Sequence, residues 1–247
     1  MNIADEATTA HLKAEVHPFD TVVKIPLATA IQTVNTCFER WGLPQQIKID
    51  NGFPFVNPRH MDIPTKAKLW WIGLGINVIQ NRPSCPQENG AVECLQGIMN
   101  CWSNPKGYSS IEAFQKRLNE ESNFQRNGYR MPNKKNYTRK ELFPELETNK
   151  RRYNPKKFQM KHIYKYLSRQ AWTRKVSKFG EVSFFGKRHY LGAKNARHVI
   201  TVTFDPIDKQ WMFHNTEGKL LKLSKTAVPK KEEILNFAMM SKNLDTT

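Results

Sequence analysis

The sequence predicts an α/β domain, followed by a basic helical connector and a small C-terminal β-barrel. Three observations carry this expectation. Over the first hundred residues the apolar positions alternate between a helical and a strand period. Charge then breaks sharply: residues 1–100 hold 8 Lys and Arg against 9 Asp and Glu, whereas the remaining 147 residues hold 31 against 13. From Trp172 onward the texture changes to short β-type runs divided by turn residues.

In the first part, Thr8 to Val16 reads as a strand closed by His17-Pro18. Leu27, Ile31, Val34, Phe38 and Trp41 recur at steps of 4, 3, 4 and 3, the stripe of an amphipathic helix that Gly42 stops. Ile47 and Ile49 alternate with polar neighbours in a short strand, Gln46 to Asp50, that runs into Asn51-Gly52. Thr65 caps a second helix reaching Gly73, with Trp70 and Trp71 expected in the core. Ile76 to Ile79 is another short strand. The loop Asn81 to Gly90 holds Pro83 and Pro86, and a third helix follows from Ala91 to Trp102. Val92, Leu95, Ile98 and Met99 are expected to face its core. Strand and helix alternate, as α/β domains require.

Beyond Ser110 a helix spans Ile111 to Arg126, and Lys150 to Ser168 is basic and partly helical. Five β-type runs follow: Glu181 to Phe185, His189 to Leu191, His198 to Phe204, Gln210 to His214 and Lys219 to Leu223. Turn signals at Phe185-Gly186, Asp205-Pro206 and Glu217-Gly218 separate them, and strands this short and closely spaced suggest a barrel. The tail after Pro229 is polar and weakly helical. The expected boundaries are 1–104 for the α/β domain, 105–170 for the connector, 172–228 for the barrel and 229–247 for the tail.

A formal charge of +17 and a pI near 9.8 point to a polyanionic partner, nucleic acid first and an anionic membrane surface second. Arg130 to Lys178 holds 16 basic and 3 acidic side chains, an imbalance suited to tracking phosphates. With 39% hydrophobic and 11% aromatic residues the chain is not a disordered polyampholyte. No apolar run approaches the ~18 residues of a membrane span, and Met1 to His11 lacks the basic and apolar regions of a signal peptide. A cytoplasmic location is expected. Cys37, Cys85, Cys94 and Cys101 form no CxxC pair and the histidines lack finger-like spacing, so no zinc module is expected. Cys94 and Cys101, seven apart, fall near one helix face as reduced thiols.

Asp50 ends a strand, where side chains of adjacent elements converge over a sheet edge. Alone, Asp-Asn-Gly is a turn sequence and Glu93 a solvated helix residue; Glu88, in the preceding loop, is an equal rival. Their combination carries more. Ile-Lys-Ile-Asp50-Asn-Gly52, Trp70-Trp71-Ile-Gly-Leu-Gly75 and Asn81-Arg-Pro83-Ser-Cys-Pro86-Gln87-Glu-Asn89-Gly90-Ala-Val-Glu93 together closely resemble the core of integrases and bacterial insertion-sequence transposases. There a strand ends in Asp-Asn-Gly, and a Pro-Gln-x-x-Gly-x-x-Glu segment opens the helix bearing the final carboxylate. Asp5-Glu-Ala-Thr-Thr9 resembles the end of that core's second strand. Phe124 to Arg130 through Phe143-Pro144 is similar to a further region of the family, without its histidine.

The resemblance implies a ribonuclease H-like core, a DDE carboxylate triad and two divalent ions, Mg²⁺ or Mn²⁺, that activate an attacking oxygen and stabilise a leaving one. Asp50 and Glu93, 43 positions apart, match the second and third carboxylates. The interval exceeds the retroviral spacing, and the loop Asn57 to Pro64 accommodates the excess. The family's first aspartate lies on a strand before the Asp5 segment, so the core is expected to lack its first strand, while Asp5 itself is expected to bond nearby backbone. Gln87 and Asn89 are candidates either for DNA contact near the scissile phosphate or for capping the loop. Arg130, Lys134, Lys135, Arg151, Arg152, Lys156 and Lys157 are candidate phosphate contacts of the connector. In the barrel, expected to be SH3-like, Arg174, Lys175, Lys187 and Arg188 are the corresponding candidates. The implied partner is double-stranded DNA, element ends and target, bound by a homo-oligomer away from any membrane. The alternative is a catalytically inactive remnant that only binds DNA or inhibits; a basic RNA-binding protein is the second rival.

Overall fold

A computed structural model of the chain describes residues 1–17, 25–57, 60–225 and 228–240. In chain order the elements are β1 (Asn2–Asp5), β2 (Ala10–Ala14), α1 (Leu27–Trp41), β3 (Gln46–Ile49), α2 (Lys66–Gly73), β4 (Asn77–Gln80), α3 (Gly90–Ser103) and α4 (Ile111–Asn127). Then come α5 (Arg139–Leu142), α6 (Met160–Leu167), β5 (Ala171–Lys175), β6 (Glu181–Phe184), β7 (Lys187–Tyr190), β8 (Val199–Asp205), β9 (Gln210–His214), β10 (Leu220–Ser224) and α7 (Lys231–Met240). Pro18, expected to close the first strand, and residues 241–247 of the expected polar tail lie outside the described residues.

The chain forms two compact units, one of Met1–Pro58, Val78–Asn154 and Ala238–Thr247, the other of Arg59–Asn77 and Pro155–Phe237. These units do not follow linear boundaries at 104 and 172. The second unit takes α2 out of the first hundred residues, so a cut after 104 would part α2 from α6, on which it packs.

In the first unit, β1 and β2 form an antiparallel hairpin with Asn2 opposite Ala14 and Asp5 opposite Ala10. Asp5 closes the turn: its Oδ1 accepts hydrogen bonds from the Thr8 amide at 2.8 Å and the Thr8 hydroxyl at 2.6 Å. β3 and β4 pair in a separate two-stranded sheet. The free edge of β2 is covered by side chains of α4, which act in place of another strand. Gln115 accepts from the Val16 amide at 2.8 Å and donates to the Ala14 carbonyl at 2.9 Å. Gln125 does the same one turn of the ladder away, accepting from the His11 amide at 3.0 Å and donating to the Thr9 carbonyl at 2.8 Å. Arg126 donates to the His11 carbonyl, and Arg139, from α5, donates to the Thr9 carbonyl at 3.0 Å. The His11 ring lies fully buried in this seam. The Ser122 hydroxyl donates to the Leu118 carbonyl at 2.6 Å and lies 2.7 Å from His11 Nδ1, while His11 Nε2 lies 3.2 Å from Asn2 Oδ1.

α1 carries the stripe expected of it, with Ile31, Val34, Phe38 and Trp41 buried, and Gly42 ends it in the left-handed region at φ 81°. α3 departs from expectation. Leu95, Met99 and Ser103 are buried, but Val92 and Ile98 are 38% and 37% exposed. The strict four-residue spacing of the buried positions makes a narrow stripe, enough for packing on α4 and β1, and the wider apolar face predicted for it is not covered.

In the second unit α2 begins at Thr65, whose hydroxyl accepts from the Lys68 amide at 3.3 Å, and Trp70 and Trp71 are fully buried. Trp70 stacks on Phe158 with ring centroids 5.4 Å apart, and the Gly73 carbonyl accepts from the Gln159 amide at 2.9 Å. β5, β8, β9 and β10 form an antiparallel sheet in the order β10-β9-β8-β5, while β6 and β7 form a separate hairpin. Phe185 and Gly186 turn that hairpin with φ of 47° and 74°, the conformation of a two-residue turn matched to strand twist. The two layers meet in an aromatic core: Phe184 packs edge-on against Trp211 at 4.9 Å, and Trp172 against both at 5.5 Å. The hydrogen-bonded strands thus make an open four-stranded sheet and a hairpin rather than a closed ring.

Two predictions follow from the packing. A Cβ at Gly73 would sit 2.1 Å from the buried Phe158 ring. Gly73→Ala should therefore lower stability by about 1–3 kcal/mol through overpacking, opposite in sign to the gain alanine usually brings a helix; urea unfolding monitored by tryptophan fluorescence measures it. In the first unit, burial and then the Arg126 guanidinium lower the His11 pKa to about 4. The native ring then binds its proton more weakly than the unfolded chain does. Stability should be full above pH ~6.5 and fall by roughly 3 kcal/mol between there and pH 4, flattening below. The slope in that window should shrink in His11→Gln, and an NMR titration of the wild-type ring should give a midpoint near 4.

Candidate functional site

The residues singled out by motif lie where β3, β4 and α3 end or begin. Ile47 and the buried Ile49 anchor β3, and the chain leaves the strand at Asp50. Asp50 is exposed, with Oδ1 accepting from the Gly52 amide at 3.1 Å. Gly52 leaves room for this turn: a Cβ there would meet the same carboxylate at 3.1 Å. Glu93 stands in the first turn of α3, also exposed.

A chain of asparagines joins the two carboxylate-bearing elements. The Asn51 amide donates to the Asn81 carbonyl at 2.9 Å and accepts from Gln80 at 2.8 Å. The Asn81 backbone amide donates to the Ile49 carbonyl at 3.0 Å, extending the ladder between the ends of β3 and β4. The Asn81 side chain, 4% exposed, donates to Oδ1 of Asn89, the residue that precedes α3. Each bond is worth about 1 kcal/mol, more where the partner would be left buried and unpaired. Their effect is positional: the strand end carrying Asp50 and the helix carrying Glu93 share one hydrogen-bonded network. Sequence reasoning missed Asn81. Its signal was an asparagine within two residues of the end of each of two short apolar strands.

The rival Glu88 is engaged elsewhere. Its carboxylate accepts from the Arg82 amide at 2.8 Å and from Arg82 Nε at 2.6 Å, and these bonds hold its pKa below the usual carboxylate range. Asn89 makes no side-chain capping bond to α3 and accepts instead from the Asn81 side chain, while Gln87 is exposed. Among the described residues there is no group of three His, Cys, Asp or Glu able to hold a metal ion. Asp50 and Glu93 are hard oxygen donors, the type Mg²⁺ and Mn²⁺ take, but among the described residues they belong to no group of three such ligands.

The cationic candidates divide into exposed and structural. Lys134, Lys135 and Arg152 are exposed in the first unit, and Arg130, 63% exposed, donates to the Asn136 carbonyl at 2.9 Å. Arg151 is partly buried and bonds the Pro44 carbonyl. In the second unit Lys156, Lys157, Lys175, Lys187 and Arg188 are exposed. Arg174 is not open in this way: it pairs with Asp62 at 2.7 Å and lies over the Phe184 ring at 5.4 Å, with 18% of its side chain exposed. Its guanidinium holds the Asp62 segment to the sheet. No helix of the described residues is long and apolar enough to cross a membrane. No family model matches the chain.

Proposed function

We propose that this chain is a DDE-type DNA transposase or integrase, acting in the cytoplasm on double-stranded DNA as a homo-oligomer. The observation that carries the proposal is the joining of the Asp50 strand end to the Glu93 helix through Asn51, Asn81 and Asn89, in the motif order that resembles integrases. Free thiols at the exposed Cys94 and Cys101 suit a reducing compartment. On this reading Asp50 and Glu93 are the second and third carboxylates of the triad, and phosphodiester hydrolysis and strand transfer need one further aspartate. Asp5 is a poor substitute, since its Oδ1 is committed to Thr8. The exposed lysines and arginines after residue 100 hold the phosphate backbone, supplying affinity without sequence choice.

A second reading, a catalytically inactive DNA-binding or inhibitory remnant, draws on the same cations and differs at the reaction. Joining of element-end DNA in Mn²⁺ separates the two. The 247-residue chain should not join 3′ ends, whereas a chain extended through the upstream coding segment should, and should lose activity again when its added aspartate becomes asparagine. No joining by the extended chain would favour the remnant. Robust joining by the shorter form would mean that another group completes the triad. Calorimetry adds a direct readout: Asp50→Asn or Glu93→Gln should weaken Mn²⁺ binding by about tenfold or more, and Glu88→Gln should leave it within about twofold. Dependence on Glu88 instead would move the site.

A further inference from the structure

One end of the second unit presents aromatic rings among cations. The loop after β5 and the loop after β7 are tied together by backbone hydrogen bonds, from Val176 to His198 at 2.9 Å, Arg197 to Val176 at 3.1 Å and Leu191 to Gly180 at 2.8 Å. Gly180 permits this closeness, with φ at +77° and only 2.6 Å between a would-be Cβ and the Gly192 carbonyl oxygen. From this fixed base Phe179 stands 68% exposed and Tyr190 57% exposed. The Lys178 ammonium lies 4.9 Å from the Phe179 ring centroid, and Lys222 donates to the Tyr190 carbonyl at 3.1 Å. On the hairpin, Val182, Phe184 and His189 face inward, so Arg188 and Tyr190 share the outward face by strand alternation. Residues 171–204 hold seven Lys and Arg against one acid, Glu181, which is paired opposite Tyr190.

We propose that this surface binds single-stranded DNA, stacking unpaired bases on Phe179 and Tyr190 while Lys178, Arg188 and Lys222 follow the phosphates. The inference rests on the DNA-binding reading above and adds the form of DNA recognised at this face. Charge alone favours duplex, which has the denser phosphates. Exposed rings on a rigid base add what a duplex cannot use, because its base faces are already stacked, and such platforms accept any sequence. A cation beside the ring reinforces the arrangement, since it meets the phosphate of a base stacked there.

The test is fluorescence anisotropy of the full chain with an oligothymidine strand and a mixed-sequence duplex, over a range of salt. The double variant F179A/Y190A should lose about tenfold or more of its single-strand affinity and no more than about twofold on duplex, with the salt slope unchanged. Phe179→Leu, which keeps an apolar side chain but no ring face, should fall with Phe179→Ala, and Phe179→Trp should retain binding. Arg188→Ala should instead reduce the salt slope on both DNAs. Unchanged single-strand affinity in the double variant, or an equal loss on duplex, would overturn this proposal and leave the DNA-binding reading standing. Absence of binding to either DNA by the wild-type chain would overturn that reading itself.

Discussion

The burial of α2 is the constraint on which the organisation of the chain depends. Ala67, Leu69, Trp70, Trp71, Ile72 and Gly73 are all buried, so beyond its two lysines, Lys66 exposed and Lys68 half-buried, the helix must be enclosed on every side. Two tryptophans and two aliphatic side chains removed from water contribute several kcal/mol, at about 1.5–3 kcal/mol for each large apolar group. That stabilisation is collected beside α6, whose Ile163 and Leu167 are themselves fully buried. Segment 59–77 therefore belongs to the unit built mainly from residues 155–237. A helix apolar all round from Leu69 to Gly73 announces that it is buried but not by what, which is why a linear division of the sequence parts it from its partner.

Electrostatics divides the same way, between cations that build the protein and cations that face outward. Arg126 and Arg139 serve as backbone donors to β2, at the His11 and Thr9 carbonyls. Both have their pKa lowered, first by burial, and being arginines they stay charged. Arg151 and Arg174 hold Pro44 and Asp62 in like manner. Planar guanidinium groups, able to donate several bonds in one plane, suit this work better than ammonium groups. The lysines remain on the surface almost throughout residues 130–178. A count of basic residues thus overstates the outward-facing cationic surface by its structural arginines.

Much of the fold was legible because local rules and packing agree. α1 begins and ends where its stripe and Gly42 place it, and α2 starts at its threonine cap. β9 matches its expected run, Gln210 to His214. β5 was not legible: Ala171-Trp-Thr-Arg-Lys carries one buried side chain, Trp172, and its strand character comes from five cross-strand partners on β8. The Asp50 and Glu93 segments were visible as motif, whereas their connection was not. It depends on Asn51 meeting Asn81 and Asn89 of a loop thirty residues on, and sequence order gives no sign that they meet.

That connection also explains how an exposed carboxylate is held in place. α3 buries only Leu95, Met99 and Ser103, and none of these lies in the turn that bears Glu93. Packing therefore fixes the middle and end of the helix more firmly than its start. At the start the restraint is polar: Asn81, buried, grips Asn89 and is itself fixed to the Ile49 carbonyl by its backbone amide. A hydrogen bond is directional where an apolar contact is not, so these two bonds in series position the helix terminus more closely than a methyl contact would. The Arg82–Glu88 pair braces the same loop from its exposed side, with the smaller effect expected of a solvated ion pair. The start of α3 is thus held to the end of β3 by this loop as well as by the core.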